Sequence, residues 1–167
     1  MNGGIVSERS AYANLYVTVF FFSSMSYNTQ MMRTGVEQIK FADGIGTEPR
    51  FAFRRWFETW VDAVNLGSRE VWQPAILESV TVTDLLPKEL DYDRFVSYLT
   101  NPPKKIFLPK ATVTLEDGLF VVRGTIEFFD QTLMVFEGMF EMVVHDIGTQ
   151  DYKIFGMTCY PHFRVSV

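Results

Sequence analysis

The sequence predicts an α+β fold in which a group of helices is followed by a long, curved antiparallel sheet, and three observations carry that expectation. Helical spacing of apolar residues is confined to positions 47–99, strand-like alternation fills the chain after Lys104, and glycines fall inside three successive strands. With 167 residues, 47% hydrophobic and 21% charged, the chain is long enough for one domain with its own core, and its composition excludes a disordered chain or a coiled coil.

The elements follow in order. Residues 1–46 read as an N-terminal arm or extension able to form a strand. Its apolar run Tyr12–Phe22 is 11 residues long, against the roughly 20 a membrane span needs. Glu8 and Arg9 cancel and no small-residue cleavage pattern follows Phe22, so a packed strand or arm is expected rather than an export signal. Met25, Met31 and Met32 leave room for a later start. The domain proper is expected over 47–167. Thr47 is placed to cap a helix with Pro49 in its first turn, and Phe53, Trp56, Phe57, Trp60, Val61 and Val64 then recur on one face. Asn65 and Gly67 end it. Ser68 can cap a short helix through Trp72, which Pro74 stops. Leu77–Thr83 alternates as a strand, Asp91–Leu99 is a short amphipathic helix, and Asn101-Pro102-Pro103 closes that helix.

Four strands are predicted beyond, over Ile106–Leu115, Leu119–Phe129, Thr132–Val144 and Tyr152–Val165. Short polar links such as Glu116-Asp117-Gly118 make them an antiparallel meander. Strands this long must curl, and Gly124, Gly138 and Gly156 supply the bends. Alternation sends Phe120, Val122, Ile126, Phe128, Met134, Phe136, Phe140, Met142 and Val144 inward, with Phe155, Met157, Cys159 and Phe163 of the last strand. Arg123, Glu127, Glu137, Glu141, His145, Tyr160, His162 and Arg164 are assigned to the outer face.

Charge and side-chain inventory exclude several functions. Fifteen Lys+Arg against twenty Asp+Glu leave a net charge of -5, which gives no general attraction to nucleic acid or anionic membranes. One cysteine cannot form an internal disulfide, and two histidines make no zinc cluster, so a reducing, cytoplasmic setting and no metal are expected. No phosphate-cradling glycine loop and no nucleophile elbow occurs, and no cofactor is implied.

The helix FAFRRWFETWVDAVNLGS (51–68), the link REVWQPAILESVTVTD (69–84) and the paired strands FVVRGTIEFFD and TLMVFEGMFEMVVHD, in that order, resemble the NTF2-like superfamily in its SnoaL-like and ketosteroid-isomerase-like branch. The likeness runs from about Pro49 to Val167, and the first 46 residues depart from it. It implies a cystatin-like cone, a sheet wrapped around helices with a pocket at its wide end. An acidic residue closing the first strand is the general base in the isomerase-like branch, which points to Asp84. Val80 and Val82 form the apolar set that Asp84 continues, so its carboxylate is expected to face inward with a pKa raised by desolvation. Tyr98 is the corresponding candidate for an oxyanion-stabilising phenol. Trp56 and Trp60, one turn apart, could stack on a flat ligand, with Phe120, Phe128, Phe136, Phe140 and Met142 lining the same pocket. The competing reading of these aromatics is an ordinary core.

The expected function is a small-molecule-binding protein with an apolar pocket, working as a cofactor-independent isomerase or cyclase on a cyclic or polyketide-like substrate if it is catalytic. The alternative is a non-catalytic interaction or dimerisation module. A homodimer through the outer sheet face is expected, because Arg123, Glu127, Glu137, Glu141 and Arg164 interleave with Val121, Val135, Val143 and Tyr160.

Overall fold

A computed structural model of the chain describes residues 33–162, and residues 34–162 belong to one compact unit. The run Tyr12–Phe22 and the inward and outward assignments of Phe163 and Arg164 lie outside the described residues.

Two short strands, β1 (Gly35–Val36) and β2 (Ile39–Phe41), precede the long helix α1 (Thr47–Leu66). The apolar stripe turns Phe53, Phe57, Trp60, Val61 and Val64 into the core. Thr47 is not its cap: Gly46 holds the extended cap position, and no side chain bonds the free N–H groups there. At the other end Gly67 adopts the left-handed conformation (φ 73°), and Ser68 N–H donates to the Ala63 carbonyl at 2.9 Å, which closes the helix. A short helix α2 (Arg69–Trp72) and a 3-10 turn over Gln73–Ala75 lead into β3 (Ile76–Thr83). Asp91 caps α3 (Tyr92–Thr100), its carboxylate accepting from Arg94 N–H at 3.0 Å.

The meander follows as β4 (Lys104–Glu116), β5 (Leu119–Asp130), β6 (Leu133–Asp146) and β7 (Tyr152–Pro161), each antiparallel to the next. The seven strands form one mixed sheet in the order β1-β4-β5-β6-β7-β3, with β2 also on β4; β1, β2 and β3 pair in parallel. A Cβ on Gly124 would run into the Lys110 carbonyl and one on Gly138 into the Tyr160 carbonyl, so at both positions the neighbouring strand comes too close for any side chain.

The helices fill the concave side. Apart from exposed Met134, the inward set of β5 and β6 is buried, whereas Arg123, Glu127, Glu137, Glu141, His145 and His162 lie outside. Val121, expected on the outer face, is buried at 5% exposure, and Phe155 is a further departure. A register shift between β6 and β7 at Val143/Val144 flips it, and the ring is 48% exposed rather than inward. Asn65 ties α1 to the sheet margin as a strand would: its amide donates to the Ile106 carbonyl (3.0 Å) and accepts from Ile106 N–H (2.6 Å). No described helix is long and apolar enough to cross a membrane.

Candidate functional site

The residues expected to line one pocket divide between the two ends of the interior. At one end Phe53 stacks on Phe120 with ring centroids 4.5 Å apart, and Tyr152 meets both edge-on at 5.4 and 5.8 Å. Half-buried Trp56 closes this cluster, 5.5 Å from Phe53 and 5.3 Å from Tyr152. Trp60 is buried and its indole N–H donates to the Trp72 carbonyl at 3.0 Å, so that N–H holds α1 to α2 and is not offered to a ligand. Phe120, Phe128, Phe136, Phe140 and Met142 are likewise buried in a single apolar cluster. The core reading of these aromatics is therefore the one the packing supports.

The other end carries chemistry. Tyr98, on the last turn of α3, is half-buried; its ring meets Phe128 edge-on at 5.6 Å, and its hydroxyl bonds no described residue. Burial pushes the phenol above its ordinary range, and the nearby Cys159 and Asp130 add to the rise. Cys159, fully buried, is one of the inward residues of β7; burial, and then Asp84, push its thiol up to about 12. That makes it an inert thiol, as expected of a small buried hydrophobe.

Asp84 does not face inward. The strand ends at Thr83 and Asp84 takes a left-handed backbone (φ 63°), so the alternation of Val80 and Val82 stops one residue short and the side chain is exposed. Thr83 pairs with Thr158, so Asp84 leaves the sheet beside the strand position of Cys159.

Two residues here escaped the sequence reading. Lys104 and Asp130 are directly opposed across the β4–β5 ladder. Lys104 is the buried charged side chain among the described residues, 5% exposed. Its ammonium donates to the Tyr98 carbonyl (3.0 Å) and the Pro102 carbonyl (2.9 Å) and lies 4.5 Å from the Tyr98 ring centroid. Burial pulls its pKa down while Asp130 pulls it back up. A signal for both existed: Lys104 continues the parity of Ile106 and Leu108, and Asp130 that of Ile126 and Phe128. Among the described residues no group of three or more His, Cys, Asp or Glu is arranged to hold a metal.

Solved structures share this arrangement of helices and sheet. An NTF2-like protein from Pseudomonas putida matches with a TM-score of 0.57 at 11% identity, over 72% of this chain and 92% of that one. The fold is NTF2-like. A protein from Shewanella frigidimarina, provisionally named a ketosteroid isomerase, matches with a TM-score of 0.50 at 10% identity, over 74% and 100%. Bdellovibrio bacteriovorus Bd1075 matches with a TM-score of 0.58 at 17% identity, over 71% of this chain but only 42% of that longer protein. No protein-family model and no curated protein matches the sequence.

Proposed function

We propose that this NTF2-like chain binds a small apolar ring compound at the Tyr98 end of its cone. The observation that supports it is the hydroxyl of half-buried Tyr98, which has no hydrogen-bond partner among the described residues and whose ring packs edge-on against Phe128. A polar group so placed costs about 1–3 kcal/mol unless something accepts from it, and a ligand oxygen is a suitable acceptor. The catalytic form of this reading is a cofactor-independent isomerase or cyclase: Asp84 takes a proton from the substrate while Tyr98 donates to the oxygen on which charge builds. The Shewanella frigidimarina neighbour's name agrees with that form. Cys159, kept as a buried thiol, suits a reducing, cytoplasmic setting.

Titration of tyrosine-labelled protein with 2-acetylnaphthalene tests the reading by NMR. Tyr98 ring signals are expected to shift saturably, and Tyr98→Phe to weaken binding about tenfold, the worth of one hydrogen bond in a dry site. Absence of any saturable shift removes it.

A second reading has its own observation. Met139 and Tyr160, directly opposed on β6 and β7, are 53% and 52% exposed on the outer sheet face. Val135 and Phe155 are also exposed, and Arg123, Glu137 and Glu141 surround the patch with both signs of charge. Such a face suits a second copy of the chain. Sedimentation at micromolar concentration is expected to show a dimer that Met139→Glu splits; a single-chain mass for the unaltered protein removes this reading.

A further inference from the structure

A buried ammonium requires hydrogen-bond partners, and lysine ordinarily avoids the need by extending its head to water. Lys104 keeps its head inside. Two of its N–H groups serve the Tyr98 and Pro102 carbonyls, which would suffice to tie the α3–β4 corner together. The charge also lies against the Tyr98 ring, 4.5 Å from its centroid and well within the roughly 6 Å over which a cation is held by an aromatic face. With Phe128 meeting the same ring edge-on, the phenol has one fixed position. A positive charge on the ring face draws electron density from the O–H bond and strengthens the hydroxyl as a donor.

The carboxylate that the β4–β5 register sets at this end is Asp130, opposite Lys104. An anionic ligand oxygen would meet that carboxylate, with Lys104 committed to backbone carbonyls and to the ring. A neutral acceptor meets the donor without that repulsion.

Building on the small-molecule reading above, we infer that Lys104 is a positioning residue for the Tyr98 phenol, and that the pair selects a neutral, carbonyl-bearing ring compound over an anionic one. Lys104 touches no ligand itself. It acts by fixing the ring and strengthening its hydroxyl.

The test compares 2-acetylnaphthalene, 2-naphthoate and naphthalene as probes of the full chain and of Tyr98→Phe, Lys104→Gln and the double variant. Lys104→Gln removes the charge and keeps an N–H donor group on a side chain one bond shorter. The ketone is expected to bind about tenfold tighter than either other probe, and Lys104→Gln to lose most of that advantage. In the double variant Lys104→Gln should add nothing to Tyr98→Phe, a non-additivity that a structural strut does not produce. Ketone binding that depends on Tyr98 but not on Lys104, or naphthoate binding as tightly as the ketone, overturns the inference and leaves the small-molecule reading standing. Failure of Lys104→Gln to fold overturns it too, because Lys104 is then a strut. If the unaltered chain binds none of the three probes, both readings fall.

Discussion

The two ends of the interior draw on the same aromatic-rich stock and use it differently. Around Phe53 the rings of Phe120, Tyr152, Trp56 and Phe57 pack at centroid separations of 4.5 to 6.0 Å, with Phe41 at 6.4 Å and the Tyr152 hydroxyl the polar group among them. Around Tyr98 the rings share their space with a hydroxyl, a thiol, an ammonium and carboxylates. One end is therefore a source of stability and the other holds polar groups that cost stability. The aromatic content of a strand says nothing about which it is; the polar neighbours decide.

The strongest contrast is expected from Phe53→Ala, which should destabilise by about 3–5 kcal/mol in urea unfolding, the usual result of emptying a packed aromatic site. A loss below about 1 kcal/mol would show that the ring faces open space and that the two ends are alike. Gly124→Ala comes next at about 1–3 kcal/mol, because its Cβ meets the Lys110 backbone, which cannot yield as a side chain would. Unaltered midpoints would mean that the neighbouring backbone yields after all.

The third prediction concerns alkali and belongs to the Tyr98 end. Folding raises the Cys159 thiol from its ordinary 9.0 to about 12, so between those values the native state keeps a proton that the unfolded chain has lost. Stability present below pH 9 is then lost as pH climbs through that window, by up to about 1.4 kcal/mol per unit. Tyr98, raised in the same direction, adds to the loss above its ordinary value. Cys159→Ala should flatten the alkaline limb of a melting-temperature profile, and an identical profile would count against burial of the thiol. Last is Tyr98→Phe, expected to raise stability by about 1 kcal/mol at neutral pH, since it removes a hydroxyl that bonds no described residue. A loss instead would give that hydroxyl a structural partner and make the two ends equivalent.

Helix positions and the meander were legible in the sequence because each depends on local spacing and turn chemistry. The site was less so. Parity extrapolates only while the backbone stays extended, and Asp84 fails because its left-handed φ ends the strand beneath it. Phe155 fails for the related reason that a register shift inverts the faces of β7. Trp60 could be read as a ligand platform until its N–H was found on Trp72, twelve residues away, a pairing no short window contains. Lys104 hid behind its residue type: next to Lys105 and after two prolines it reads as a solvated charge, although its parity already placed it inside.

The Asn65 tie has a consequence for the company this protein keeps. An open strand margin is a template on which foreign chains can grow a sheet, and β4 would present one along much of its length. Asn65 occupies Ile106, β1 takes Phe107 and Leu108, and β2 covers Ala111 to Val113. Three fragments, one of them a single amide, therefore blunt that margin against strand addition. The same device makes α1 a guard of the sheet as well as its filling, so loss of the Asn65 amide would leave the Ile106 N–H and carbonyl open to a foreign strand.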